Sequence, residues 1–142
     1  MKKLLLTPLF FLLLAVTYAA PVTNIDTTAP AFQGKHIMVI TLKKELRTGS
    51  DFKTTEACTA WKLMSSQAME IFQNVKPITD AELASKFTAM AALMNGKCRI
   101  DNKNYTYELN AGSFLSLNDG QQTTFFGCYN KNLRKYFLAQ PK

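Results

Sequence analysis

Apolar and polar positions change rhythm three times along this chain, and each rhythm predicts a different kind of element. Residues 36–42, His36-Ile37-Met38-Val39-Ile40-Thr41-Leu42, are a nearly continuous apolar run of strand length, suited to a strand buried on both faces. A polar connection over residues 43–53 follows, with Thr48-Gly49-Ser50-Asp51 inside it. Ala57, Trp61, Met64, Ala68, Ile71 and Val75 then repeat at spacings of 4, 3, 4, 3 and 4, which predicts one helix over residues 54–75. Lys76-Pro77-Ile78 ends it, because proline cannot continue a helix and biases the residue before it away from helical angles.

Thr79-Asp80-Ala81-Glu82 has the form of a capping box, which predicts a second helix with Leu83, Phe87, Met90 and Met94 on its apolar face. Asn95-Gly96 reads as its stop. So short a connection makes the two helices antiparallel neighbours. From Lys97 onward the period becomes two. Tyr105, Tyr107 and Leu109 alternate with Thr106 and Glu108, and Asn118-Asp119-Gly120 is a hairpin signal. Residues 133–138 fit a last strand or a short helix. The expected architecture is therefore α+β: an N-terminal strand, then an antiparallel helical hairpin packed on an antiparallel β-meander of three to five strands.

The first nineteen residues have a different grammar. Met1-Lys2-Lys3 is a basic start, residues 4–16 are apolar except for Thr7 and Pro8, and Thr17 and Ala19 supply the small residues a signal peptidase needs. This predicts a signal peptide over residues 1–19, an extended arm over 20–34 and one domain over 35–142, secreted or periplasmic. Cutting 19 residues from 142 leaves 123, enough for one apolar core, and no later run approaches the roughly 20 apolar residues of a membrane span. Losing Lys2 and Lys3 leaves 15 basic against 10 acidic residues, a net charge of +5. That balance permits contact with anionic surfaces such as envelope polymers or acidic proteins. In a eukaryotic chain, Asn104-Tyr105-Thr106 is also a glycosylation acceptor.

Three cysteines in an oxidising compartment suggest one disulfide and one odd thiol. Cys58 lies 19 residues before Pro77 and Cys98 lies 21 after it, so the expected hairpin brings both to its open end. This favours a Cys58–Cys98 bridge over a Cys98–Cys128 one, since Cys98 and Cys128 fall on non-neighbouring strands of a simple meander.

No catalytic pattern carries weight. His36 is the only histidine, and none of the cysteines has a nucleophile signature around it that would pair it with His36 and an acid such as Asp51 or Glu56. Asp101 and Asp119 fit turns, and Glu108 fits a solvent-facing strand position, better than a carboxylate pair for glycoside hydrolysis. No metal spacing, phosphate loop or cofactor motif is present in the sequence.

The expected function is that of an exported small binding protein acting on a macromolecular partner, as an inhibitor, immunity-type partner or secretion accessory. The alternatives are a secreted hydrolase with an unrecognised site and an envelope module on anionic polymer. A protein partner is expected first and nucleic acid is not favoured. The candidate binding residues are Tyr105 and Tyr107, on the sheet face away from the helices, and Lys131, Arg134 and Lys135 in the densest basic segment.

Overall fold

The computed structural model describes residues 29–142. The expected signal peptide and residues 20–28 of the expected arm lie outside them. Most of what is described builds one antiparallel sheet curled into a half-barrel. Its strands are β1 (Ile37–Val39), β2 (Lys43–Leu46), β3 (Lys76–Pro77), β4 (Ala92–Ile100), β5 (Lys103–Asn110), β6 (Phe114–Asn118) and β7 (Thr123–Gly127). The order is β1-β4-β5-β6-β7-β3, and β2 pairs with the other half of β4 along the same edge. Short helices α1 (Glu56–Ala60), α2 (Ser65–Phe72) and α3 (Asp80–Lys86) and a 3-10 helix (Lys131–Tyr136) complete the fold.

The expected helical hairpin on a three-to-five-stranded meander is thus overturned. The first long helix is two short ones, because the chain is extended from Trp61 to Met64. Trp61 and Leu63 are both buried there, an alternation that a helix cannot make, and the Trp61 indole donates to the Tyr136 carbonyl at 2.8 Å. The second helix does start at the Thr79 capping box, where Thr79 accepts from the Glu82 amide, but it ends at Lys86. Met90 and Met94 belong to a different pattern. With Ala92, Cys98 and Ile100 they are the buried, even-numbered positions of the β4 region.

That alternation gives the sheet two faces. Cross-strand partners share a face, so Met94, Cys98, Ile100, Tyr107, Leu109, Leu115, Leu117 and Phe126 all point to one side. Ala68, Ile71 and Phe72 of α2, then Val75, fill this packed face, and Leu133 of the 3-10 helix joins them in the same core. The Phe72 and Tyr107 rings meet edge-on, 5.2 Å between centroids. The part of the arm that is described turns and docks here. The Ala31 amide donates to the Val75 carbonyl at 2.8 Å and Phe32 lies against Phe126.

The opposite face is covered at one end only. Phe87, just past α3, lies over Gly127 against Phe114 and Tyr129, and a Cβ on Gly127 would sit 2.4 Å from the Phe87 ring. Beside it the buried Asn110 side chain clamps the chain. It accepts from the amides of Met90 and Gly112 and donates to the Met90 carbonyl, at 2.8–2.9 Å. The rest of this face is open.

Asn95-Gly96, read in the sequence as a helix stop, is the middle of β4. The amides of Ile40 and Thr41 both donate to the Lys97 carbonyl, a β-bulge that separates β1 from β2. The bulge folds Thr41 down onto β4, and a Cβ on Gly96 would meet the Thr41 carbonyl oxygen at 2.0 Å. Glycine stands here because another backbone passes too close for any side chain.

Candidate functional site

The uncovered part of the open face holds two adjoining depressions. One, of about 560 Å³, is lined by Asn95, Gly96, Lys97, Thr106, Tyr107, Glu108, Ser116, Asn118, Thr123 and Phe125 with the bulge residue Thr41. The second, of about 390 Å³, continues it past Arg99 and Asn104 to Ile40 and the Asp119-Gly120 turn. Lys97, Thr106 and Asn118 belong to both, so the two form one polar groove across the strands.

Strand register creates the groove. Lys97 pairs with Thr106, Thr106 with Asn118 and Asn118 with Thr123, while Asn95, Glu108, Ser116 and Phe125 form the next row. Odd positions of β4 and even positions of β5 therefore project outward together. Asn95, Asn104, Thr106, Ser116, Asn118 and Thr123 give the groove amides and hydroxyls, groups able to donate and accept, beside the apolar Ile40 and Phe125.

The charges in and around the groove divide into engaged and unengaged groups. Glu108 is bound to Arg47, which also bonds Glu45 at 3.1 Å. Glu45 in turn accepts from the Asn95 amide. Asp119 bonds Lys103 at 2.7 Å and accepts from the amides of Gln121 and Gln122, and those bonds hold its carboxyl well below the usual range. Lys97 and Arg99, both exposed, have no carboxylate partner among the described residues. Among the described residues, the Arg99 side chain donates from its Nε to the side-chain Oδ1 of Asn104 at 3.2 Å. Among the described residues the groove thus carries two cations without a carboxylate partner, while Arg47, shared between Glu45 and Glu108, leaves that neighbouring cluster one negative charge.

Of the candidates drawn from sequence, Tyr107 and Tyr105 border the two depressions but sit at packed-face positions of β5. Tyr107 is on the packed face, 2% exposed, with its hydroxyl donating to the Thr41 carbonyl at 2.8 Å; burial raises its pKa. Tyr105 faces the same way, with the Lys103 ammonium over its ring. The alternation was legible, but which set faced the helices was assigned the wrong way round. Lys131, Arg134 and Lys135 are exposed on the 3-10 helix, whose following segment docks at Ala111. Tyr105 lies six residues from Ala111 along the chain, about 20 Å in a strand, so the structure does not gather these five residues into one site.

All three cysteines are free and buried. Cys58 lies against the Ala91 and Ala92 amides, whereas Cys98 is six strand positions beyond Ala92, again about 20 Å. The Cys58–Cys98 bridge was inferred from the helical hairpin, and its geometric basis goes with that hairpin. Burial pushes the Cys98 thiol up to about 12 and the Cys128 thiol up to about 11. Cys58 moves the other way. Its desolvation is outweighed by the Thr55 hydroxyl and by backbone amides that favour the thiolate.

His36 pairs with Asp101 at the far end of β1. Its amide donates to the Asp101 carboxylate at 3.0 Å, and Lys35 bonds the same carboxylate. Both contacts lower the Asp101 pKa. Asp101 and Asp119 are therefore held ionised as turn and hairpin anchors, and neither is poised as a proton donor at neutral pH.

The groove residues Lys97, Arg99, Asn104, Thr106, Ser116, Asn118 and Thr123 were not singled out as a set from sequence. Their signal was there: Asn95, Lys97 and Arg99 alternate with Met94, Gly96, Cys98 and Ile100 once the segment is read as a strand. No protein family, curated protein or solved structure matches the chain.

Proposed function

We propose that the chain is an exported binding protein that engages a macromolecule carrying anionic groups through the open face of its sheet. One observation carries this reading: Lys97 and Arg99, with no carboxylate partner among the described residues, stand in a groove that also presents Asn95, Asn104, Thr106, Ser116, Asn118 and Thr123, on the face the helices leave bare. Exposed charges of one sign in a concave surface raise the local concentration of oppositely charged ligands.

Chemical-shift mapping with dextran sulfate and with polyglutamate tests the reading. The shifts are expected to centre on Lys97, Arg99, Asn104, Thr106 and Asn118 and to fade as salt rises, because exposed charge contacts are screened beyond about 10 Å at 0.1 M ionic strength. Shifts centred on Lys131, Arg134 and Lys135 would move the site to the C-terminal segment and refute the proposal.

A further inference from the structure

We propose that the ligand of the open face is an acidic polysaccharide laid across the strands; this rests on the reading of that face as the binding surface. Adjacent strands are about 4.8 Å apart. The row Lys97, Thr106, Asn118, Thr123 therefore presents one polar side chain per strand at a step comparable to the length of a pyranose ring. The parallel row Asn95, Glu108, Ser116, Phe125 lies beside it, so a linear glycan crossing β4 to β7 meets two polar groups at most strands.

The chemistry of the rows separates the ligand classes. Sugar hydroxyls donate and accept, as do the Thr106 hydroxyl and the Thr123 hydroxyl, which accepts from the Asn118 amide at 2.9 Å and keeps its own proton to donate, while the Asn118 side-chain oxygen holds the Gly120 amide. Polyphosphate only accepts and would use only the donors of each row, and polyglutamate donates only through its backbone N–H groups, whereas each sugar offers several hydroxyls that do both. Phe125 ends the second row half-buried, an apolar surface of the kind a sugar ring's C–H face can cover. A single-stranded nucleic acid is held by aromatic platforms on which successive bases stack. Tyr105 and Tyr107, the aromatics that could have served on β5, face the packed side. Lys97 and Arg99, two residues apart on β4 and about 6.6 Å along the strand, supply the charge that selects carboxylated or sulfated sugars. The Glu108 carboxylate, which would oppose such a ligand, is bound to Arg47; Arg47 also serves Glu45, so this cluster keeps one negative charge against the two positive charges of Lys97 and Arg99.

Calorimetric titration of residues 20–142 provides the test. The probes are oligogalacturonate and heparin oligosaccharides, neutral malto-oligosaccharides, and polyglutamate and polyphosphate of matched charge. Acidic oligosaccharides should bind roughly tenfold tighter than any of the others. Thr106→Val with Thr123→Val, both at exposed positions, should weaken the acidic oligosaccharides by roughly fivefold, at about 1 kcal/mol, and leave polyglutamate unaffected. Lys97→Glu with Arg99→Glu should weaken every anionic probe. Equal affinity for polyglutamate or polyphosphate, with no effect of the threonine changes, would overturn the glycan assignment and leave the open face standing as an anion-binding surface. Equal affinity for neutral and acidic sugars would overturn the role given to the cations. Failure of every polyanion to bind would overturn both readings together.

Discussion

Gly96→Ala is the sharpest probe of how the groove is built. The added Cβ would lie 2.0 Å from the Thr41 carbonyl oxygen, 2.7 Å from its carbon and 2.9 Å from its Oγ1. Ordinary carbon–oxygen contacts are near 3.3–3.6 Å, so the bulge must lift by more than about 1 Å. The obstacle is backbone, which cannot rotate aside as a side-chain tip can. Lifting it also strains the bond from the Tyr107 hydroxyl to the Thr41 carbonyl and the bonds from the Ile40 and Thr41 amides to Lys97. Overpacking of this kind typically costs about 1–3 kcal/mol, and the loss of bulge bonds places Gly96→Ala at the top of that range, about 3 kcal/mol. At roughly 4 °C per kcal/mol for a domain of this size, the Tm should fall by about 12 °C in a thermal melt followed by circular dichroism. Native-state hydrogen exchange should show the Ile40 and Thr41 amides losing protection before those of β5 and β6. The exposed neighbour Lys97→Ala serves as control and should shift stability by less than about 0.5 kcal/mol. A Gly96→Ala melt within about 2 °C of the natural chain would refute the close approach of bulge and strand.

Tyr107→Ala empties a buried site against Phe72 and should cost about 3–5 kcal/mol in chemical denaturation, while whatever folded protein remains binds polyanions as before; weakened binding at full stability would return Tyr107 to the open face. Asn110→Ala leaves two amides and one carbonyl unpartnered, at about 1–3 kcal/mol for each buried group, so the midpoint in urea should fall by more than for any exposed substitution. The thiols should separate by reactivity: in native protein near pH 8, a thiol reagent should label Cys58 before Cys98 or Cys128, and faster labelling of Cys98 would contradict its placement. Cys98 and Cys128 have raised folded pKa values, so their contribution to stability is complete below the unfolded thiol value of about 8.5 and is lost as pH rises toward about 11–12. Melts across pH 8 to 11 should show that decline, reduced in Cys98→Ala.

Local signals survived folding where they had a local cause. The Thr79 capping box starts α3, Asn118-Asp119-Gly120 makes the β6–β7 turn, and the break at Lys76-Pro77 ends a helical region. Signals based on spacing alone were ambiguous. A separation of four residues suits a helical stripe and also every second pair of strand positions, so Met90 and Met94 fitted both readings. The length of the 54–75 stripe was misleading because Trp61 has a distant partner, the Tyr136 carbonyl, which no window around residue 61 contains. Gly96 looked like punctuation because its reason, the Thr41 backbone, lies 55 positions earlier in the chain. The open face was anticipated, yet its residues were not. An alternating strand fixes two sets of side chains, and only tertiary packing decides which set faces the helices.

The central claim is that the cations of the open face hold the ligand. Its most direct test is the Lys97→Glu, Arg99→Glu double variant, titrated with heparin oligosaccharide beside Arg134→Glu, Lys135→Glu. Reversing two exposed charges replaces attractions of up to about 1 kcal/mol each by repulsions of similar size, so affinity should fall roughly tenfold or more, since 1.4 kcal/mol is one decade, with an unchanged Tm. The C-terminal pair should retain affinity within about threefold. If the C-terminal reversals abolish binding and the β4 reversals leave it intact, the open face is not the site.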